Sequence, residues 1–265
     1  VTPVVLPRFA GQPPEAVTFD YWDTLICTRT SGTREARRTA LAAALADTGV
    51  DVDGDRLEAA LDHAVAVYTE SWHANHQFTA EDGAISVLDH LGLALRPADQ
   101  EVFVTAFVRS AVDLRPSLTP RVTDALSALR AAGVRLGIVC DVGLTASDVL
   151  RSYLEHHRVL ELFDHWSFSD EVGVYKPDPR IFRHALDGLG GVDPAGAVHV
   201  GDLRRTDVAG ARAVGMATVR YSGRNDDGAV VPEGGPEAAT GQSWPDADVV
   251  VNDHADLAGV LGVGR

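Results

Sequence analysis

The stretch AVHVGDLRRTDVAGARAVGMATVRY, residues 197–221, carries the reading of the fold. AVHV (197–200) is an apolar run of strand length, and it stops at Gly201-Asp202. A helix is expected over 206–214, and ATVRY (217–221) is a second strand. Strand, helix and strand in so short a space make a parallel pair joined by a crossover, with Asp202 left at the carboxyl end of the first strand.

The same alternation extends outward. VTF (17–19) ends a short buried strand at Asp20, and VRLGIVC (134–140) is another strand. A helix near 145–157, a strand at 165–168, a helix at 178–189 and a late strand DVVV (248–251) complete the series. Ahead of it, Thr119-Pro120 has the form of a helix cap followed by proline at the first helical position. Val122, Ala125, Leu126 and Leu129 give that helix its buried face, and Gly133 stops it. The pattern differs between 28 and 115. Leu41, Ala44, Leu45 and Thr48 share one helical face, and Leu57, Leu61, Ala64, Val65, Tyr68 and Trp72 make a second stripe. Two more helices are expected at 79–91 and 97–112, and no convincing strand interrupts them. The expected fold is therefore α/β, a Rossmann-like parallel sheet core of residues 1–27 and 116–265. Residues 28–115 form an inserted all-helical domain, and the Gly-, Pro- and Asp-rich 222–246 is a surface loop.

Composition narrows the function. The formal charge of −15 over 265 residues repels phosphate backbones, so no nucleic-acid partner is expected. It leaves small phosphorylated substrates open, because a bound cation can reverse the local field. No apolar run reaches membrane-spanning length. VTPVVLPRF at the start lacks a basic region ahead of an apolar core, and two cysteines, Cys27 and Cys140, make no disulfide framework. A cytoplasmic protein is expected, as a monomer or homodimer. Of 23 basic residues only Lys176 is lysine, which asks for a local reason.

In an open parallel sheet, ligands bind beyond the carboxyl ends of the strands. Asp20, Cys140-Asp141 and Gly201-Asp202 stand at three such ends, and Lys176 lies in the loop after the strand at 165–168. Carboxylates that converge repel one another, and a hard divalent cation such as Mg2+ relieves the conflict with oxygen ligands. Lys176 offsets the charge further, and a compact ammonium suits that task better than a planar guanidinium. An aspartate kept ionised in this way can attack phosphorus.

The segments FDYWDTL (19–25), GIVCD (137–141), VGVYKPDP (172–179) and HVGDLRRTDVAGARAVGM (199–216) resemble the four ordered motifs of the haloacid dehalogenase (HAD) superfamily. The helical stretch 28–115 sits where that family inserts its C1-type cap. The resemblance implies that Asp20 is the nucleophile and a metal ligand, that Asp202 is a second ligand, and that Asp207 holds the metal or its water. It implies further that Lys176 holds Asp20 and phosphate, and that Thr24 braces the first loop. Cys140 stands where the family has Ser or Thr on a phosphoryl oxygen, next to Asp141 on the substrate side.

One departure matters most. Family phosphatases place a second aspartate, the general acid and base, two residues after the nucleophile, and here that residue is Trp22. Its backbone carbonyl still suits a metal. A missing acid costs roughly 10²–10⁴ in rate. Asp23 is either a substitute acid or a turn-bracing carboxylate. Cys140 is a weaker donor than a hydroxyl, or simply a small residue at the core's edge.

Three activities follow from the resemblance. The first is Mg2+-dependent hydrolysis of a small phosphorylated metabolite through an aspartyl-phosphate. The second is metal-independent 2-haloacid dehalogenation, which the aromatic Trp22 suits and the retained Gly201-Asp202 does not. The third is a catalytically weakened member with a binding or regulatory role. A phosphonatase-like Schiff base is rejected, because 28–115 contains no lysine. In the cap, YTESWHANHQFT (68–79) is the most distinctive stretch, and Trp72 and His73 are candidate substrate contacts.

Overall fold

The computed structural model describes residues 5–27, 32–225 and 244–263. Residues 28–31, at the expected start of the insertion, and 226–243, most of the expected loop, lie outside them. The six expected strands are all present: β1 (Ala16–Phe19), β2 (Arg135–Cys140), β3 (His165–Phe168), β4 (Ala197–Gly201), β5 (Ala217–Tyr221) and β6 (Val249–Val251). They pair in parallel in the order β3-β2-β1-β4-β5-β6. β1 is central, with Phe19 in register with Ile138 of β2 and Val200 of β4. Every residue of β1, β4 and β5 is buried, which accounts for unbroken runs in place of an alternating pattern.

Four helices separate β1 from β2: α1 (Thr33–Asp47), α2 (Gly54–His73), α3 (Ala80–Leu91) and α4 (Pro97–Arg109). Their ends are written locally. Asp53 accepts from the backbone N–H of Asp55 and Arg56, Thr79 and Asp82 form a reciprocal capping box, and Pro97 opens α4. α4 stops at Arg109, ahead of the expected 112, where the Ser110 hydroxyl donates to the Phe107 carbonyl at 2.7 Å. The helices bury an apolar cluster of their own, including Leu41, Leu61, Val87, Phe103 and Phe107. Leu144, from the loop after β2, packs against it. Gly83 of α3 permits this, since a Cβ there would lie 2.7 Å from the Leu144 side chain. Ala111, just after α4, packs with the α/β core.

The remaining helices are α5 (Val122–Ala131), α6 (Ser147–His156), α7 (Ser169–Val172), α8 (Pro179–Gly188), α9 (Ala209–Val214) and α10 (Leu257–Val260). Two expectations are corrected. α5 begins at Val122 after a left-handed Arg121, and Thr119 does not cap it. The Thr119 hydroxyl instead donates to the Thr24 carbonyl at 2.6 Å, tying the loop after β1 to this segment. The helix expected over 206–214 is preceded by a wide π-helical turn, Arg204–Val208, before α9 begins. No helix among the described residues is long and apolar enough to cross a membrane.

Candidate active site

Asp20 follows β1 directly, and its N–H continues the sheet by donating to the Val200 carbonyl at 2.8 Å. Asp141 follows β2 and Asp202 follows β4. The π-helical turn swings Asp207 back toward the end of β4, where the Leu203 N–H donates to its Oδ2 at 3.0 Å. Gly201 makes room, since a Cβ there would lie 2.3 Å from the Asp207 carboxyl carbon. Between α7 and α8, Lys176 sends its ammonium into the same space. It bonds Asp20 Oδ1 and lies 2.7 Å from Asp207 Oδ1. Asp20, Lys176, Asp202 and Asp207 are all at most 5% exposed, so four charges from three chain-distant segments are held out of water.

Their electrostatics are unequal. Burial, against the pull of Lys176, raises the Asp20 carboxyl to about 7. Burial and then Asp20 push Asp202 well above the carboxylate range. Burial would raise Asp207 also, but Lys176 and His199 outweigh it and hold that carboxyl low. Burial would lower Lys176, and Asp20 and Asp207 overcome it, so the ammonium stays charged. Oxygens of Asp20, Asp202 and Asp207 lie within 4.8 Å of one another. One ammonium does not offset three carboxyl groups, so Asp20 and Asp202 resist ionising until more positive charge arrives, and an all-oxygen donor set of this span fits a hard divalent cation.

His199, which the sequence motifs do not mark, supports the cluster from β4. Its Nε2 donates to Asp207 Oδ1 at 3.1 Å, which makes Nδ1 the acceptor for the Thr18 hydroxyl at 2.8 Å. Its signal was a lone histidine inside an apolar strand. Asn225 donates to Asp202 Oδ2 at 3.0 Å, and nothing in its loop-like surroundings pointed to it.

A cavity of about 430 Å³ opens above the cluster, and Asp20, Trp22, Asp23, Trp72, Asp141, Lys176 and Asp202 are among its walls. Trp22 is half-buried, with its ring edge-on to Tyr21 at 5.1 Å. Asp23 has φ of 54°, a left-handed conformation in which its N–H donates to the Ile26 carbonyl at 2.7 Å while the residue borders the cavity. Thr24 is buried. Its carbonyl accepts from Thr119 and from His254 Nε2 (2.9 Å), and its hydroxyl has no partner among the described residues.

Asp141 accepts from the Lys176 N–H at 2.8 Å through one oxygen and from the Trp72 indole N–H at 2.9 Å through the other. The Arg205 guanidinium covers the Trp72 ring at 3.9 Å. His73 tilts against Trp72 at 4.9 Å and does not line the cavity. Cys140 does not line it either. The residue is fully buried, its thiol donates to the Asp141 carbonyl at 3.5 Å, and burial holds it protonated. Of the two neighbours expected on the substrate side, Asp141 lines the cavity.

Residues 14–215 match a family model described as haloacid dehalogenase-like hydrolase, and a related model matches residues 174–257. A glyceraldehyde 3-phosphate phosphatase of Methanopyrus kandleri is 33% identical over 232 residues, covering 80% of this chain and 89% of that protein. Among solved structures, the HAD-hydrolase YfnB of Bacillus subtilis, bound to magnesium, superposes with a TM-score of 0.62 at 16% identity, covering 95% of this chain and all of that one. A 2-haloacid dehalogenase of Pseudomonas syringae gives 0.61 at 21% identity over 94% and 98% of the two chains. At such identities the two structures speak for the fold alone.

Proposed function

The chain belongs to the haloacid dehalogenase-like hydrolases, and we propose that it is a Mg2+-dependent phosphatase of a small phosphorylated metabolite, working through an aspartyl-phosphate on Asp20. The observation that carries this reading is the buried group of Asp20, Asp202, Asp207 and Lys176 at the floor of the cavity. Residues 33–109 would serve as the cap over it.

Asp20, Asp202 and Asp207 would hold the cation, with the Trp22 carbonyl as a further ligand. When bound, Mg2+ supplies positive charge against the phosphoryl oxygens. Lys176 keeps the Asp20 carboxylate ionised and oriented, and its ammonium adds a second positive charge beside the incoming phosphate. An Asp20 carboxylate oxygen forms the bond to phosphorus as the ester oxygen leaves. Asp23, which borders the cavity, would give that oxygen a proton, and afterwards take one from the water that attacks phosphorus and frees Asp20. Trp22 adds an apolar wall beside the reacting atoms, and Asp141 and Trp72 close the far side.

The test is hydrolysis of p-nitrophenyl phosphate and a panel of metabolite phosphates, with and without Mg2+, beside Asp20→Asn. Turnover that needs both Mg2+ and Asp20 supports the reading. Metal-independent halide release from a 2-haloacid would replace it with dehalogenation. Binding of Mg2+ without turnover of any substrate would favour the regulatory role.

A further inference from the structure

Lys176 is useful only while its ammonium reaches Asp20 and Asp207, and a four-carbon stem holds such a position only if its backbone is fixed. The fixing comes from the helical insertion. The Lys176 N–H donates to Asp141 Oδ1 at 2.8 Å, and the other oxygen of Asp141 is held by the Trp72 indole N–H at 2.9 Å. Arg205 stacks on that indole at 3.9 Å. The residue before Lys176, Tyr175, is fully buried, and its hydroxyl donates to the Phe78 carbonyl at 2.8 Å while accepting from the Phe78 N–H at 3.2 Å. Phe78 stands in the link between α2 and α3, where neither backbone group has a helical partner. Two points of one insertion segment thus bear on two consecutive residues of the α/β core, Phe78 on Tyr175 directly and Trp72 on Lys176 through Asp141.

We propose that segment 72–78 is a strut that holds Lys176 in place, so that docking of the helical insertion and assembly of the charged centre are one event. If the segment moves away, Asp141 keeps one of its two donors and the Tyr175 hydroxyl loses both contacts at once. Tyr175 and Trp72 are positioning residues that act through Lys176. The catalytic consequence rests on the phosphatase reading, while the strut itself rests on the contacts.

The sequence offers a direct probe, because Lys176 is the single lysine in the chain. Acylation of amines in the full-length protein, followed by peptide mass mapping, reports its release with no other lysine to interfere. Tyr175→Phe keeps its ring and loses only its hydroxyl, and Trp72→Phe keeps an aromatic ring, smaller than the indole, and loses the N–H that holds Asp141. Each is expected to acylate at Lys176 roughly ten-fold faster than wild type, the scale of one or two lost hydrogen bonds. Each should also lower kcat toward p-nitrophenyl phosphate, with KM little changed. In the same samples buried Cys140 should stay closed to a thiol reagent. Wild-type acylation rates in both variants would overturn the strut. So would Cys140 opening in step with Lys176, which would mean general loosening, or a rise in KM at unchanged kcat, which would make these residues substrate contacts. If the wild-type protein hydrolyses no phosphomonoester, the phosphatase reading falls, and the acylation rates still decide the strut.

Discussion

Lys176 Nζ and Asp207 Oδ1 lie 2.7 Å apart with both side chains almost wholly out of water. The same ammonium bonds Asp20, so one cation serves two buried carboxylates. Removing one partner from a buried ionic group leaves the others uncompensated, which costs about 3–5 kcal/mol. Lys176→Met is therefore expected to lose that much stability in urea denaturation and to lose turnover. Mg2+ should raise the Tm of the variant more than that of wild type, since the cation then meets a site with one more uncompensated negative charge.

The pH dependence of the metal-free protein has a defined sign. The Asp20 carboxyl is raised from 3.8 to about 7, so the folded state holds a proton that the unfolded chain gives up. This group's contribution to stability is full below 3.8 and is lost as pH rises through about 7. Asp207, held low, works in the opposite sense, and its contribution is lost only as pH falls below the ordinary carboxylate range. Thermal melts in chelator should show Tm falling as pH rises toward 7 and somewhat beyond, relative to Asp20→Asn. Saturating Mg2+ should flatten that fall, because the cation takes the place of the proton.

The sequence shows the sheet and the charged centre for one physical reason. Strands buried on both faces are continuous apolar runs, and each run ends where a polar residue can meet the ligand edge, so Asp20, Asp141 and Asp202 announce themselves. Thr119 misleads because the form of a helix cap is local, while its hydroxyl is claimed by the Thr24 carbonyl far away in the chain. His199, Asn225 and Tyr175 escape notice because their meaning lies in partners across the fold. Cys140 sits one residue before the cavity wall, and a motif position alone does not tell which of two neighbours turns outward.

Asp23 borders the cavity, whereas the position two after Asp20 carries Trp22. If Asp23 supplies the proton to the leaving oxygen, its importance must grow with the basicity of that oxygen. Asp23→Asn should lower kcat by roughly 10²–10⁴ with alkyl phosphates. The loss should be much smaller with p-nitrophenyl phosphate, whose phenolate leaves without help. Equal losses with both substrates, or none with either, would leave Asp23 as a turn residue only. Mg2+ affinity, followed by calorimetry, should be unchanged.

The loop after β1 is braced by two donors on one carbonyl. The Thr119 hydroxyl reaches the Thr24 oxygen at 2.6 Å, and His254 Nε2 reaches it at 2.9 Å with its ring stacked on Tyr221 at 4.0 Å. His254 is buried, and burial lowers it to about 4, so it is a neutral donor at physiological pH. Because either donor satisfies the carbonyl, Thr119→Val and His254→Phe should each cost only about 1 kcal/mol. Each single variant also removes the 3.1 Å contact between the Thr119 hydroxyl and His254 Nε2, but only the double variant leaves a buried carbonyl with neither donor, so its cost should exceed the sum of the two, a coupling of about 0.5–3 kcal/mol in a double-mutant cycle. Strict additivity in urea denaturation would mean that the two contacts act independently of the Thr24 carbonyl.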